Sequence, residues 1–437
     1  MATALHPTVL LETRLRAREA RVAVMGLGYA GLPMAVACAE AGYPVLGLDV
    51  DQARVAAVQT GVSPVSNVPD SALRPLVATG KVRATTDMSV LGEADIALVC
   101  VPTPLTAERT PELRYVQQAA ASIAEHAHPG QLILLQSTSG PGTTRRELAG
   151  PLEARGFRVG HDLHVAYAPE RIDPGNTRFT VRNTPKLISG ISPRCTELAL
   201  RFYEPLVDEL VPCATPEVAE LSKLVENTFR FVNISLINEV AQLCDRLGIS
   251  VWDVLAAAGT KPFAYLPHWP SAGVGGHCIP IVPYYLLDVA REQGLAAEMV
   301  VAAGRVNDGQ PAWVVQKLAR LLDARGQALE GARVLLLGMA YKPDVADLRE
   351  SPALSVLECL LARGAEVAFH DRWVPRFRAA GREWTSSELD NLGQYTAAIV
   401  LAAHRGVDYR RVAAEVPLVL DTSNTLSGLR APSVVAL

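Results

Sequence analysis

The sequence predicts an α/β protein: two doubly wound parallel-sheet domains joined by an α-helical middle domain with one long central helix. Two observations predict it. Arg-Val-Ala-Val-Met-Gly-Leu-Gly at 21–28 and Arg-Val-Leu-Leu-Leu-Gly-Met-Ala at 333–340 are similar openings, each a short apolar run entering a glycine turn, as in the first strand of a Rossmann-like domain. Between them, 216–247 places apolar residues at helical spacing. The expected parts are an N-terminal dinucleotide-binding domain over 1–205, a central helical domain over 206–315 and a C-terminal Rossmann-like domain over 316–437.

The bulk numbers set the class of partner. A chain of 437 residues, 49% hydrophobic and 20% charged, is long enough for several cores. Its net charge of -4 gives no electrostatic footprint for nucleic acid or an anionic membrane, so neither is expected and a small-molecule ligand is. The seven cysteines are widely spaced, without a Cys-x-x-Cys pair, which predicts reduced thiols in the cytoplasm and neither a disulfide framework nor a metal site. Residues 1–20, with Glu12, Arg14, Arg16, Arg18 and Glu19, lack the apolar core of a signal peptide. The apolar runs at 334–337 and 397–403 have strand length, too short for a membrane span.

A polar, helical lead-in precedes the first strand at 21–25. The turn Gly26-Leu-Gly-Tyr-Ala-Gly31 follows, then a helix over 32–41 ended by Gly42. Gly26 suits a tight turn, Gly28 a close approach to a pyrophosphate and Gly31 tight helix–strand packing, with Tyr29 and Ala30 leading into the helix N-terminus that attracts the phosphate charge. The next strand, 43–48, ends at Asp49, where a carboxylate can accept from an adenosine ribose. Together these predict NAD as cofactor. Arg54 is read either as a cation accommodating a 2′-phosphate or as a solvated helix charge.

Further strands at 96–101 and 132–136 end in Pro102-Thr-Pro104 and Ser137-Thr138, at the cofactor side of an open parallel sheet. Thr138 is a candidate hydroxyl near the chemistry, and Ser137 is read as a turn residue. A strand at 163–168 presents Glu170 and Arg171. Glu170 is a candidate general base, or else the partner of Arg171 or another cation in a salt bridge.

On the helix at 216–247, Val218, Leu221, Leu224, Val225, Phe229, Val232, Leu236 and Val240 draw an apolar stripe. Lys223 and Asn227, four apart, share a face beside it. They read either as a snorkelling lysine with its neighbour or as an ammonium and an amide aimed at a developing oxyanion. Helical sequence continues to 258. Then comes Gly273-Val-Gly-Gly-His-Cys-Ile-Pro280, where glycines let the backbone close on a ligand and Cys278 is a candidate nucleophile. Helices at 284–293 and 298–322 lead to the second α/β part, with strands at 333–337 and 366–370 and near 397 and 416. Ser351-Pro352 opens a helix there. The loop with Lys342, Asp344, Asp347 and Arg349 suits phosphate or ribose contacts, or is a solvated loop.

These pieces resemble the UDP-glucose/GDP-mannose dehydrogenase family along nearly the whole chain. The matching motifs are Gly26-Leu-Gly-Tyr-Ala-Gly-Leu-Pro33, Val101-Pro-Thr-Pro104, Ser137-Thr138, Pro169-Glu170, Lys223-Leu-Val-Glu-Asn227, the loop at 273–280, and Tyr341-Lys-Pro with Asp347-Leu-Arg-Glu-Ser-Pro352. Pro169-Glu-Arg-Ile-Asp-Pro-Gly-Asn176 and Lys261-Pro-Phe look most like the branch acting on UDP-N-acetylglucosamine. The resemblance implies oxidation of a UDP-hexose C6 alcohol to the carboxylate by two NAD+ in succession. Cys278 then captures the intermediate aldehyde as a thiohemiacetal, which is oxidised to a thioester and hydrolysed. It also implies that Lys223 and Asn227 stabilise oxyanions, that Glu170 and Thr138 hold and activate water, and that Arg349 reaches the cofactor side. The cofactor set is Gly26, Gly28, Tyr29, Ala30, Gly31, Asp49, Arg54, Pro102, Thr103, Ser137, Thr138, Cys278 and Arg349. The nucleotide-sugar set is Glu170, Arg171, Lys223, Asn227, Gly273, Val274, Gly275 and Lys342. A homodimer through the central domain is expected. One departure stands out: the family carries aspartate four residues after the cysteine, and this chain has Val282. That leaves open an aldehyde-releasing enzyme, an NAD-dependent epimerase or a non-catalytic nucleotide-sugar binder.

Overall fold

Strands that are apolar at every position must be covered on both faces, and this requirement organises the computed structural model, which describes residues 7–173, 175–176, 178–429 and 431–437. The chain divides into two compact units, one of Met1–Val225 with Tyr284–Glu292 and one of Glu226–Pro283 with Gln293–Leu437.

In the first unit, β1 (Val22–Met25), β2 (Val45–Leu48), β3 (Val82–Thr85), β4 (Ile96–Val99), β5 (Leu132–Leu135), β6 (His164–Tyr167), β7 (Lys186–Gly190) and β8 (Leu210–Pro212) form one sheet. Their order is β3-β2-β1-β4-β5-β6-β7-β8. Every residue of β1, β4, β5 and β6 is buried. Successive side chains of β1 enter opposite cores, Val22 and Val24 with Leu32, Met34 and Phe202, Ala23 and Met25 with Val116 and Ile123. Neighbouring strands run parallel except β6 and β7, which are antiparallel. The sheet takes in β8, past the boundary expected at 205, because a three-residue edge strand is too short for periodicity to reveal.

The second unit holds β9 (Arg333–Leu337), β10 (Glu366–His370), β13 (Ala397–Val400), β14 (Val419–Asp421) and β15 (Val434–Ala436) in an all-parallel sheet, order β10-β9-β13-β14-β15. A hairpin of β11 (Arg376–Ala379) and β12 (Arg382–Thr385) stands apart from it. Ser351 caps the helix Pro352–Ala362 through the Ala353 amide.

Both units use one device at the first glycine turn. An aspartate just beyond the neighbouring strand accepts the amide that follows the glycine: Asp49 from Leu27 at 2.8 Å, and Asp371 from Met339 at 2.7 Å. Glycine is required at both turns. A Cβ on Gly26 would lie 2.7 Å from the Cys100 carbonyl oxygen and one on Gly338 2.1 Å from that of Ala402.

The long helix is Pro216–Leu247, and most of its apolar stripe faces outward. Leu224 is buried, but Val218, Leu221, Val225, Phe229 and Leu236, with Leu243 and Leu247 beyond them, are 39–62% exposed. The buried face carries Glu220, Lys223, Asn227, Thr228, Ser235 and Asn238. Periodicity reveals an apolar face without saying whether it turns inward.

Asp371 supplies a test of the second unit. Burial pushes its carboxyl up, but His404 Nε2 at 3.0 Å and the amides of Ala340 and Val374 outweigh burial and hold it at about 2. Asp371→Asn should lower stability to urea by about 3 kcal/mol at pH 7. A carboxyl depressed in the folded state stabilises above its ordinary value near 4, and that contribution is lost as pH falls toward about 2. The gap between wild type and variant should therefore close over that range; a gap independent of pH would refute the assignment.

Candidate active site

The glycine turn after β1 is shaped for a phosphate. Gly26 has φ 91°, and a Cβ on Gly31 would lie 1.8 Å from the Gly26 oxygen. A Cβ on Gly28 would meet nothing within 4 Å. The helix Gly31–Glu40 starts at Ala30 with no side-chain cap; the Leu32 amide bonds the Gly28 carbonyl at 3.1 Å, which leaves the Gly31 amide ahead of it to an incoming anion. The Tyr29 carbonyl accepts from Asn67 Nδ2 at 2.9 Å, which steadies the turn. Asp49 is 4% exposed. Besides Leu27 it accepts from the Asp51 amide at 3.0 Å and from Arg54 Nη1 at 2.9 Å, so Arg54 is its counter-ion. These residues fit a dinucleotide pyrophosphate.

The strand ends supply the next groups. Beyond β4, the Thr103 and Pro104 carbonyls accept from the Tyr285 hydroxyl at 3.1 and 3.4 Å, fixing the turn after Pro102. Beyond β5, Ser137 Oγ donates to the Val101 carbonyl at 2.7 Å, the turn role expected of it. The Thr138 hydroxyl is half-buried and makes no hydrogen bond among the described residues. Beyond β6, Glu170 Oε1 accepts the amides of Arg171 and Ile172 at 2.7 and 2.8 Å, and its Oε2 lies 3.4 Å from Lys186 Nζ. Arg171 Nη1 donates to the Pro185 carbonyl at 2.7 Å.

The long helix brings a carboxylate that the sequence reading passed over. Glu220, fully buried, accepts from the Gly142 and Thr144 amides at 2.7 and 2.8 Å, the Thr144 hydroxyl at 2.7 Å and the Ser139 hydroxyl at 3.4 Å. Burial pushes its carboxyl up against those bonds. One turn on, Lys223 is 7% exposed and forms no ion pair or hydrogen bond among the described residues. Asn227 is 5% exposed and its Nδ2 has no partner. A sequence signal for Glu220 existed, since it lies three and seven residues before this pair on the same face.

The cysteine loop belongs to the second unit. A Cβ on Gly275 would lie 2.7 Å from the Glu350 oxygen and 2.8 Å from Tyr341 and Pro352, and one on Gly276 2.7 Å from the Tyr341 ring. These glycines thus serve close approach to the chain's own 341–352 segment, where the sequence suggested only a ligand. Gly273 has φ 134°. The Val274 amide donates to Asn307 Oδ1 at 2.7 Å, and the Ser271 amide to Asn238 Oδ1 at 2.9 Å; neither asparagine was anticipated. Cys278 is exposed and free. Burial, then the nearby Arg349, pushes the half-buried His277 ring down to about 4 against Asp347, so a neutral imidazole stands next to Cys278 at pH 7. Val282, 2% exposed, donates its amide to the Cys278 carbonyl at 2.9 Å and opens the helix Val282–Glu292. Arg349 grips Asp347 through Nε and Nη2, the shortest contact 2.7 Å, and Lys342 Nζ stands 5.9 Å from the centre of the Tyr341 ring. Among the described residues no three histidines, cysteines or acids are grouped to hold a metal, and no helix is long and apolar enough to cross a membrane.

Three domain profiles of the UDP-glucose/GDP-mannose dehydrogenase family match in order: the NAD binding domain over 20–207, the central domain over 217–309 and the UDP binding domain over 335–428. The chain is 35% identical to the UDP-N-acetyl-D-mannosamine dehydrogenase of Pyrococcus horikoshii, over 87% of this chain and 88% of that one. It is 34% identical to the UDP-N-acetyl-D-glucosamine 6-dehydrogenase of Pseudomonas aeruginosa, over 91% and 93%. A solved structure of a UDP-D-ManNAc dehydrogenase from Pyrococcus horikoshii superposes with a TM-score of 0.83 at 32% identity, covering 92% of this chain and 94% of its own.

The two helix-side glycines predict opposite phenotypes. Gly28→Ala should leave the melting temperature unchanged and weaken NAD binding about tenfold or more, because the methyl enters space reserved for the ligand. Gly31→Ala should destabilise the ligand-free protein by several kcal/mol. Thermal unfolding with NAD titration checks both, and equal destabilisation by the two changes would refute the ligand-facing role of Gly28.

Proposed function

This chain belongs to the UDP-glucose/GDP-mannose dehydrogenase family, and from that premise we propose that it oxidises the C6 hydroxyl of a UDP-hexose, UDP-glucose or a UDP-N-acetylhexosamine, to the carboxylate with NAD+. The observation that carries the reading is Lys223, a buried ammonium without a counter-ion among the described residues, beside the Asn227 Nδ2, which has no hydrogen-bond partner there. A buried, unpaired charge costs several kcal/mol, and a site that must stabilise an oxyanion formed during reaction gives that cost a purpose.

In this reading 1–205 holds NAD, 206–315 carries the cysteine loop and the dimer contact, and 316–437 holds the UDP portion. NAD, when bound, accepts two electrons from C6 in each of two rounds. The chain supplies the rest. The Cys278 sulfur bonds to the aldehyde carbon, and the carbonyl oxygen receives hydrogen bonds from Lys223 and Asn227. The second oxidation leaves a thioester. Glu170, with Thr138 orienting the water, accepts a proton as water oxygen bonds to C6; the carbon–sulfur bond then breaks and the electron pair returns to sulfur. Gly26, Gly28, Tyr29, Ala30, Gly31, Asp49, Pro102 and Thr103 frame the cofactor. Arg171, Gly273, Val274, Gly275 and Lys342 contact the nucleotide sugar, and Arg349 reaches the cofactor side. Conversion of a nucleotide sugar for polysaccharide synthesis in the cytoplasm follows from the same reading.

Two NADH should form per UDP-sugar oxidised, counted by absorbance against product. Cys278→Ala should abolish the second oxidation, and Val282→Asp should speed turnover. One NADH per sugar would favour aldehyde release, and none with any UDP-hexose would favour an epimerase or a binding protein.

The exposed stripe from Val218 to Leu247 supports a homodimer, since an apolar face of this length on a soluble helix calls for cover. Phe229→Glu with Leu236→Glu should convert the dimer to a folded monomer by light scattering; a wild-type monomer at micromolar concentration would refute it.

A further inference from the structure

The sheet of the first unit reverses direction once, between β6 and β7, and the reversal delivers a cation to the crevice. In a parallel sheet the residues beyond a strand's carboxyl end have no cross-strand neighbour. Here β7 enters where β6 leaves. The antiparallel pairing sets Ala166 opposite Gly190 and Tyr167 opposite Ser189, so Lys186, the first residue of β7, and Glu170, three residues past β6, lie on the same side of those pairs. The side chains meet: Lys186 Nζ lies 3.4 Å from Glu170 Oε2.

Lys186 is 4% exposed, and its ammonium has no other ion-pair or hydrogen-bond partner among the described residues. Its second neighbour is the Tyr203 ring, whose centre is 5.4 Å away. Tyr203 is fixed in turn by a hydrogen bond from Gln136 Nε2 to its hydroxyl, and Gln136 Oε1 accepts from Cys100 Sγ at 3.3 Å. A row of buried groups therefore runs from β4 through β5 and the helix Pro193–Tyr203 to Lys186. A buried lysine is a poor choice for packing alone, because an apolar side chain of like volume stabilises as well or better. On Glu170, Oε1 is occupied by two amides, and Oε2, with only the ammonium, keeps a lone pair for water.

We propose that Lys186 is a positioning residue: its ammonium, braced on Tyr203, holds Glu170 so that Oε2 faces the crevice. The inference rests on the assignment of Glu170 to the water that releases the thioester. It predicts that the first oxidation is nearly indifferent to Lys186 and that acyl release depends on it.

The test compares Lys186→Met, Lys186→Arg, Glu170→Gln and the Met/Gln double variant. Lys186→Met should lower kcat about tenfold or more with KM falling in parallel, so that kcat/KM stays within about threefold of wild type, and acyl-enzyme on Cys278 should accumulate by intact mass. Lys186→Arg should recover to within about threefold of wild type. In the Glu170→Gln background Lys186→Met should add less than about twofold, because one unit is already broken. Fully additive losses, or a Lys186→Met kcat within about twofold of wild type, would overturn the proposal. Hydrogen exchange at the Arg171 and Ile172 amides reads the same placement without substrate. Lys186→Met should lower their protection about tenfold and Lys186→Arg should preserve it; equal protection in both overturns the proposal. Absence of NADH from wild type would instead strike the proposed reaction and leave this measurement standing. Should Lys186→Met not fold, Lys186→Gln carries the same comparisons.

Discussion

The buried face of the long helix depends on how one carboxylate is satisfied. Glu220 has no exposure to water, yet it draws on the amides and hydroxyls of the segment after β5 in place of the ammonium one turn away. Had it paired with Lys223, the lysine would be neutralised and the helix would be held by an ion pair alone. Spending Glu220 on neutral donors fastens the helix to the 139–144 segment, which follows Thr138, and leaves the lysine charge unspent. The same inward face then carries Asn227 and Asn238, whose Nδ2 atoms have no hydrogen-bond partner among the described residues. The exposed side of the helix is correspondingly apolar, so buried polar groups and exposed apolar ones divide one helix between them.

The two nucleotide-binding halves show how one device serves different ends. Asp49 and Asp371 both anchor the turn after a first strand. Asp371 also takes amides of Ala340, Trp373 and Val374 and the His404 ring, which exhausts its acceptor capacity. Asp49 keeps capacity on Oδ1, where only the Asp51 amide is bound. Only the first aspartate can still accept from a ribose. The second half keeps the fold and the glycine but closes its aspartate as a structural clamp, so a ligand there must be gripped by other groups, for which the 341–350 loop offers Lys342.

What the sequence made legible was local or periodic. The bounds of the long helix, the Ser351-Pro352 start and the strand at 333–337 all follow from patterns within a few residues. The three glycines of the first turn were also readable, because each answers a distinct steric demand. What stayed hidden depends on the third dimension. Gly275 and Gly276 announce a close approach, but only the fold shows that Tyr341 is what approaches. Lys186 looks like any lysine until the antiparallel strand β7 brings its ammonium to Glu170. Tyr285 pins the turn at 103–104 from a helix some 180 residues later, a contact no window of sequence contains. The apolar stripe was visible and its direction was not.

Val282 ties these threads together. A carboxylate there would have to sit at a position 2% exposed, at the start of a helix, with its amide already bonded to the Cys278 carbonyl. Valine satisfies that packing and contributes nothing to proton transfer. The neutral His277 does not replace the missing acid either, since an imidazole held at about 4 is a weak base at pH 7. Among the groups assigned to the water, Glu170 is then the one carboxylate left, and its usable oxygen is the one that Lys186 holds. In the proposed reaction, the substitution in the cysteine loop and the reversed strand of the sheet thus bear on the same step: with no acid at 282, acyl release would rest on how firmly a buried lysine fixes a single carboxylate.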